Sequence, residues 1–162
     1  IRVVYVWFST HKFMLAAQCL QALMKGMVID MKRRDIREHL FRMLFLKDFH
    51  ESSELKEQVE FYFETIEKPK EKELVYLNDR FDKIVEKLEV IDHIIEEAST
   101  GWRINRMGKI DLTIIRLATY EAKFDEDIPT GVAINEAVEL AKIFGEDNSP
   151  SFINGILAKI VA

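Results

Sequence analysis

Apolar positions recur at helical spacing along most of this chain. Ile36, Leu40, Met43 and Leu44 fall at i, i+4, i+7 and i+8, with Phe41 and Phe45 widening the stripe, so a first helix is predicted over Lys32–Phe49. Ser52 and Ser53 punctuate, and Ser53 is a candidate cap for a second helix carrying Leu55, Val59, Tyr62, Phe63 and Ile66, which Pro69 would end. Leu74–Ala98 is periodic through Leu77, Phe81, Ile84, Val85, Leu88, Ile91 and Ile95, with a break expected near Glu89–Val90. A loop is expected from Ser99 to Gly108. Ile110–Phe124 is apolar on two sides, the pattern of a helix surrounded by neighbours. Val132–Phe144 turns Ala133, Ala137, Leu140, Ala141 and Phe144 inward, and Gly145 stands where a left-handed C-cap residue belongs. Ser149-Pro150 reads as a serine N-cap followed by proline at the first position of a last helix burying Phe152, Ile153, Ile156, Leu157 and Ile160. The pattern is all-α, with six or seven helices.

Composition agrees. The chain has 162 residues, 48% apolar and 31% charged, with six glycines and three prolines, suited to one helical domain with a real core. Cys19 is the one cysteine, so neither an intrachain disulfide nor a cysteine zinc site can form. A reducing, cytoplasmic setting fits this. The longest apolar run, Phe13–Met24, is too short to span a membrane.

The first thirty residues differ from the rest. Of the 23 basic and 28 acidic side chains, three and one fall here (Arg2, Lys12 and Lys25 against Asp30), leaving 20 and 27 beyond. Val3–Phe8 has strand propensity and Phe13–Met24 helix propensity, without an evident partner for either. Met31-Lys32-Arg33-Arg34 reads like a natural beginning, so residues 1–30 are expected to be an extension outside the functional domain, residues 31–162. One extra helix packed on that domain is the alternative.

Enzyme chemistry has no foothold. The chain holds no phosphate loop, dinucleotide fingerprint or H-E-x-x-H motif. His11, His39, His50 and His93 form no i, i+3 or i, i+4 pair. Position 90 is Val, so even one Glu-x-x-His of a di-iron bundle is missing. No catalytic residue, metal or cofactor is expected.

What stands out is the basic opening of the first helix, Lys32-Arg33-Arg34-Asp35-Ile36-Arg37. Arg33, Arg34 and Arg37 lie three or four residues apart and would share a face, where guanidinium groups grip phosphate and stack on bases. A net charge of −5 argues mildly against a nucleic-acid binder, but the local field is what phosphate feels. A solvated basic helix end would look the same.

The C-terminal third changes the balance. Ile114-Ile115-Arg116-Leu117-Ala118-Thr119-Tyr120-Glu121 is followed by Ile128-Pro129, and then by Val132-Ala133-Ile134-Asn135-Glu136-Ala137-Val138-Glu139-Leu140-Ala141-Lys142. Phe144-Gly145 and Ser149-Pro150-Ser151-Phe152-Ile153-Asn154-Gly155-Ile156-Leu157 complete the block. It resembles the signature of the NusB family of antitermination factors over about residues 31–162, closely from Gly108 onward and loosely over 51–107.

The resemblance implies two packed helical sub-bundles. It implies binding of boxA-type single-stranded RNA with a NusE-type small-subunit ribosomal protein, helping RNA polymerase read through terminators in ribosomal RNA operons. Carried over, the RNA contacts would be Lys32, Arg33, Arg34 and Arg37, joined by Asn148, Ser149 and Phe152 around the start of the last helix. Partner contacts would be Phe45 and Asp111, and Arg116 reads as a salt-bridged structural residue. Core packing is the competing reading of Phe152, and the helix dipole that of Asp111. Three departures stand out: Asp35 inside the basic run, Asn148 where an aspartate is common, and Thr130-Gly131 after Pro129 in place of a bulky and a basic residue. About four phosphate contacts would give a salt slope of roughly −3. Two other readings stay open: a helical protein-interaction module without RNA binding, and the front piece of a ribosomal RNA cytosine methyltransferase. The sequence leaves monomer and homodimer both open.

Overall fold

The computed structural model describes residues 31–50, 52–65, 70–99 and 103–162. Seven α-helices occur among them: α1 (Arg33–Lys47), α2 (Ser52–Thr65), α3 (Glu71–Glu86), α4 (Leu88–Ala98), α5 (Lys109–Phe124), α6 (Thr130–Phe144) and α7 (Ser149–Val161). One 3-10 turn, Ile104–Arg106, precedes α5, and no strand occurs among the described residues. The strand and helix expected in residues 1–30, and the stop at Pro69, lie outside the described residues.

Two groups of helices share one core. α5, α6 and α7 pack on one another, while α1 packs against α2 and α3. α1 and α4 join the groups by also packing on α5. The all-helical, two-bundle expectation therefore holds. α5 is central: Leu112, Thr113, Ile114, Ile115, Leu117, Ala118, Thr119, Tyr120 and Glu121 are all buried. A helix walled in on this many sides must be apolar around most of its circumference, as its sequence is.

The breaks follow local chemistry, with shifts of a residue or two. α3 gives way to α4 at Lys87, two positions before the expected break. α1 begins one residue and ends two residues inside its expected span, and Ser53 lies inside α2 rather than before it. Buried Glu73 ties the starts of α1 and α3 together: its carboxylate accepts the Met31 N–H at 3.0 Å and the Lys70 N–H at 2.8 Å.

Gly145 and Ser149 correct the expectation. Gly145 closes α6 with φ −88° and ψ −178°, an extended and not a left-handed conformation. Glycine is required there by crowding, since a Cβ would lie 2.5 Å from Ser149 Cβ and 2.7 Å from the Ala141 carbonyl oxygen. The N-cap of α7 is Asn148, with Ser149 and Pro150 in the first turn. The Ser149 hydroxyl turns back to accept the Glu146 N–H at 2.9 Å, closing the loop instead of capping the helix.

Gly145→Ala is expected to destabilise the fold by about 1–3 kcal/mol, the usual cost of forcing atoms into a packed site. A thermal melt checks this, and an unchanged midpoint would show that the α6–α7 corner can relax.

Candidate nucleic-acid interface

α1 presents two kinds of basic residue. Lys32, Arg33 and Arg34 are exposed at its first turn. Arg37, one turn on, is 5% exposed and points inward. Its Nε donates to both Glu121 carboxylate oxygens, at 2.9 and 3.0 Å, and Nη1 lies 3.5 Å from Glu136. Arg37 therefore does not share the solvent face expected from its spacing. At 100° per residue it is turned toward α5 and α6, and the carboxylates waiting there hold it.

This arrangement explains part of the C-terminal sequence block. Glu121 ends the Tyr-Glu pair of α5 and Glu136 belongs to the Asn-Glu-Ala run of α6, and both converge on Arg37. Glu121 is 4% exposed, and burial pushes its carboxyl pKa up against the opposing pull of Arg37.

A second ionic cluster holds the other end of α1. Arg116 donates from Nε and Nη2 to Asp92 on α4, at 2.7 and 2.8 Å, and from Nη1 to Asp48, just after α1, at 2.9 and 3.0 Å. Burial works against the Arg116 charge, but the bonds and charges of Asp92 and Asp48 outweigh it and raise its pKa. Arg116 is the structural ion-pair residue expected. Lys109 also approaches Asp48, at 3.7 Å. The Phe45 end of α1 and the Asp111 end of α5 thus come to the same side of the molecule. Phe45 is half-buried against Phe41 and Phe49, and Phe49 is 57% exposed. Asp111 is half-buried in the first turn of α5.

The start of α7 divides likewise. Asn148 is exposed, whereas Ser149 is 2% exposed with its hydroxyl committed within the loop. The buried Ser149 side chain thus closes the loop, unlike the exposed Asn148 beside it. Phe152 is half-buried and packs against the core.

Phe144, read from the pattern as inward-facing, and two residues that pattern reading passed over, Arg42 and Arg80, complete the region. Phe144 stacks on Phe41 with centroids 4.7 Å apart. Arg42 lies over the Phe144 ring, 5.4 Å from its centroid, and pairs with Glu38. Arg80 pairs with buried Asp125 after α5. The available signals were a carboxylate inside an apolar helix, at Glu121, and the i, i+4, i+8 spacing of Arg34, Glu38 and Arg42. No group of three or more His, Cys, Asp or Glu among the described residues is placed to hold a metal ion.

Arg37→Ala should cost about 3–5 kcal/mol, because it strands a buried carboxylate, whereas Arg33→Ala should stay within about 0.5 kcal/mol. Urea titrations of the two variants separate them, and equal midpoints would refute the clamp. A second expectation concerns pH. A carboxyl whose pKa is raised in the fold holds its proton more tightly there, so the fold gains stability as pH falls between the raised and the ordinary value. The parent should therefore gain stability relative to Glu121→Gln as pH falls through the raised value toward the ordinary carboxylate range. A gap that stayed constant or moved the other way would contradict the raised pKa.

The family model described as "NusB family" matches residues 34–162. The transcription antitermination protein NusB of Lachnoclostridium phytofermentans is 62% identical over 131 residues, covering 81% of this chain and 99% of the relative. Its counterpart in Agathobacter rectalis is 52% identical over 129 residues, covering 80% and 98%. Among solved structures, T. maritima NusB is 33% identical with a TM-score of 0.69, covering 82% of this chain and 92% of that one. A crystal structure of antitermination factors NusB and NusE in complex with dsRNA matches at 27% identity and a TM-score of 0.65, covering 80% and 95%. The matched span takes in α1 from Arg34, both ionic clusters and the whole α5–α7 bundle, and the chain belongs to the NusB family.

Proposed function

We propose that this chain is a transcription antitermination factor. It binds boxA-type single-stranded RNA together with a NusE-type small-subunit ribosomal protein, and within the RNA polymerase antitermination complex it promotes read-through in ribosomal RNA operons. It is an adaptor, not an enzyme. Family membership supports this reading, as does the solved NusB–NusE–dsRNA complex among its structural relatives. The reading takes residues 31–162 as the functional domain and the cytoplasm as its place of work. No helix among the described residues is long and apolar enough to cross a membrane.

The observation that carries the reading is the exposed triplet Lys32, Arg33 and Arg34 on the first turn of a helix fixed from below by Arg37. Flexible cations spend entropy on every phosphate they grip, and a pinned helix lowers that cost. Free N–H groups at the helix start add to the attraction for phosphate. We assign RNA contact to Lys32, Arg33, Arg34 and Asn148, with Phe152 offering an aromatic face one turn beyond. Partner contact is assigned to Phe45 and Asp111, which sit at the end of the molecule where α1 closes and α5 begins. Burial of the Phe49 ring by the partner would then account for its exposure.

Binding of a labelled boxA-type RNA, measured over a salt series with and without a NusE-type protein, tests this. Each lost phosphate contact lowers the slope of log K against log[salt] by about 0.7, so Arg33→Ala/Arg34→Ala should lower it by about 1.4. Affinity should rise when the partner adds its own surface. RNA binding by the double variant equal to that of the parent would refute the arginine assignment.

A further inference from the structure

With Arg37 turned inward, the exposed face of α1 has a gap between its basic first turn and the loop before α7. The residue that fills this gap is Arg42. It stands eight positions after Arg34 on the same side of the helix, about 12 Å along the axis. Its side chain is 38% exposed, and its guanidinium lies over the ring of Phe144, the last residue of α6. Gly145 and the exposed residues Glu146, Asp147 and Asn148 follow directly. Arg42 therefore places a cation at the junction of α1 and that loop. The loop itself carries two acids and no base, so RNA passing from α1 to Asn148 needs a positive charge at this point.

The local chemistry suits a nucleic-acid contact. A guanidinium over an aromatic ring keeps one flat face and its outer N–H groups available for base or phosphate. Arg42 pairs with Glu38, a half-exposed carboxylate one turn back, and bonds the Tyr62 hydroxyl on α2. The Tyr62 hydroxyl also meets His39 Nδ1 at 2.8 Å. The Glu38 partnership is local and partly solvated, so it is cheap to exchange for a phosphate. The Arg37 partnership with Glu121 is buried and is not.

We propose that Arg42 is an RNA-contacting residue that links the Lys32–Arg34 turn to the Asn148 loop, while Arg37 serves as the positioning residue beneath them. This deepens the antitermination reading and rests on it. Glu38 then acts as a local competitor that holds Arg42 until RNA arrives.

The test measures a labelled boxA-type RNA oligonucleotide over a salt series against the full chain and three variants, Arg42→Ala, Arg42→Lys and Glu38→Gln, with thermal midpoints for each. Arg42→Ala should weaken binding about tenfold and lower the salt slope by about 0.7. Arg42→Lys should keep the slope and lose part of the affinity, since an ammonium cannot stack as a guanidinium does. Glu38→Gln should tighten binding. A parent-like slope in Arg42→Ala, with or without a lower midpoint, would make Arg42 a strut between α1, α2 and α6 and overturn the proposal. If Arg42→Ala fails to fold, Glu38→Gln decides alone, because unchanged or weaker binding would overturn it. A parent that shows no salt-dependent binding would overturn the antitermination reading itself, and a parent that binds with a variant that keeps its slope overturns only the role of Arg42.

Discussion

The position of α1 depends on one buried ion pair. Arg37 reaches into the core to the Glu121 carboxylate, opposing the burial that raises that group's pKa, and Glu136 steadies the far side of the guanidinium. Such a pair adds little net stability over an apolar pair of the same shape, but losing either partner is severe. Its value is geometric. The Asp48–Arg116–Asp92 cluster at the other end has the opposite polarity: there α5 supplies the arginine and the α1 end supplies the acid. Two clamps of reversed sign accept one direction and one register of α1, because the reversed helix would bring arginine to arginine.

The surface inherits its order from this. The basic first turn, the aromatic end at Phe45 and Phe49, and the arginine over Phe144 all ride on one helix whose depth and rotation are set from inside. The α6–α7 corner gains its order differently, by excluding atoms: Gly145 has no side chain because Ser149 and the Ala141 carbonyl occupy the space. Polar residues of the family block, Glu121, Glu136 and Ser149 among them, are those that hold the frame.

Much of this was legible in the sequence, and the division is physical. Helices follow from apolar periodicity and punctuation, which are local, so α5 and α6 were readable within two residues and the central place of α5 followed from its apolar circumference. Arg116 was readable as an ion-pair residue because a charge inside an apolar helix demands a partner. Arg37 was not, because its rotation into the core is decided by carboxylates 84 positions away and farther. Spacing along α1 set Arg37 beside Arg34, but three residues span only most of a turn, enough to move a side chain from solvent to core. Ser149 failed for a similar reason: the loop behind it, not the helix ahead, claims its hydroxyl. Gly145 was recognised as necessary, and its cause was steric, which needs coordinates.

The span of the Arg37–Glu121 contact bears on synthesis. α1 leaves the ribosome well before α5 and α6, yet the acids that seat it belong to those later helices, and neighbouring helices alone cannot fix its rotation. An emerging chain therefore displays a cluster of cations before it has a frame to hold them. Those cations take up a fixed depth and rotation only once α5 and α6, which carry Glu121 and Glu136, have been made.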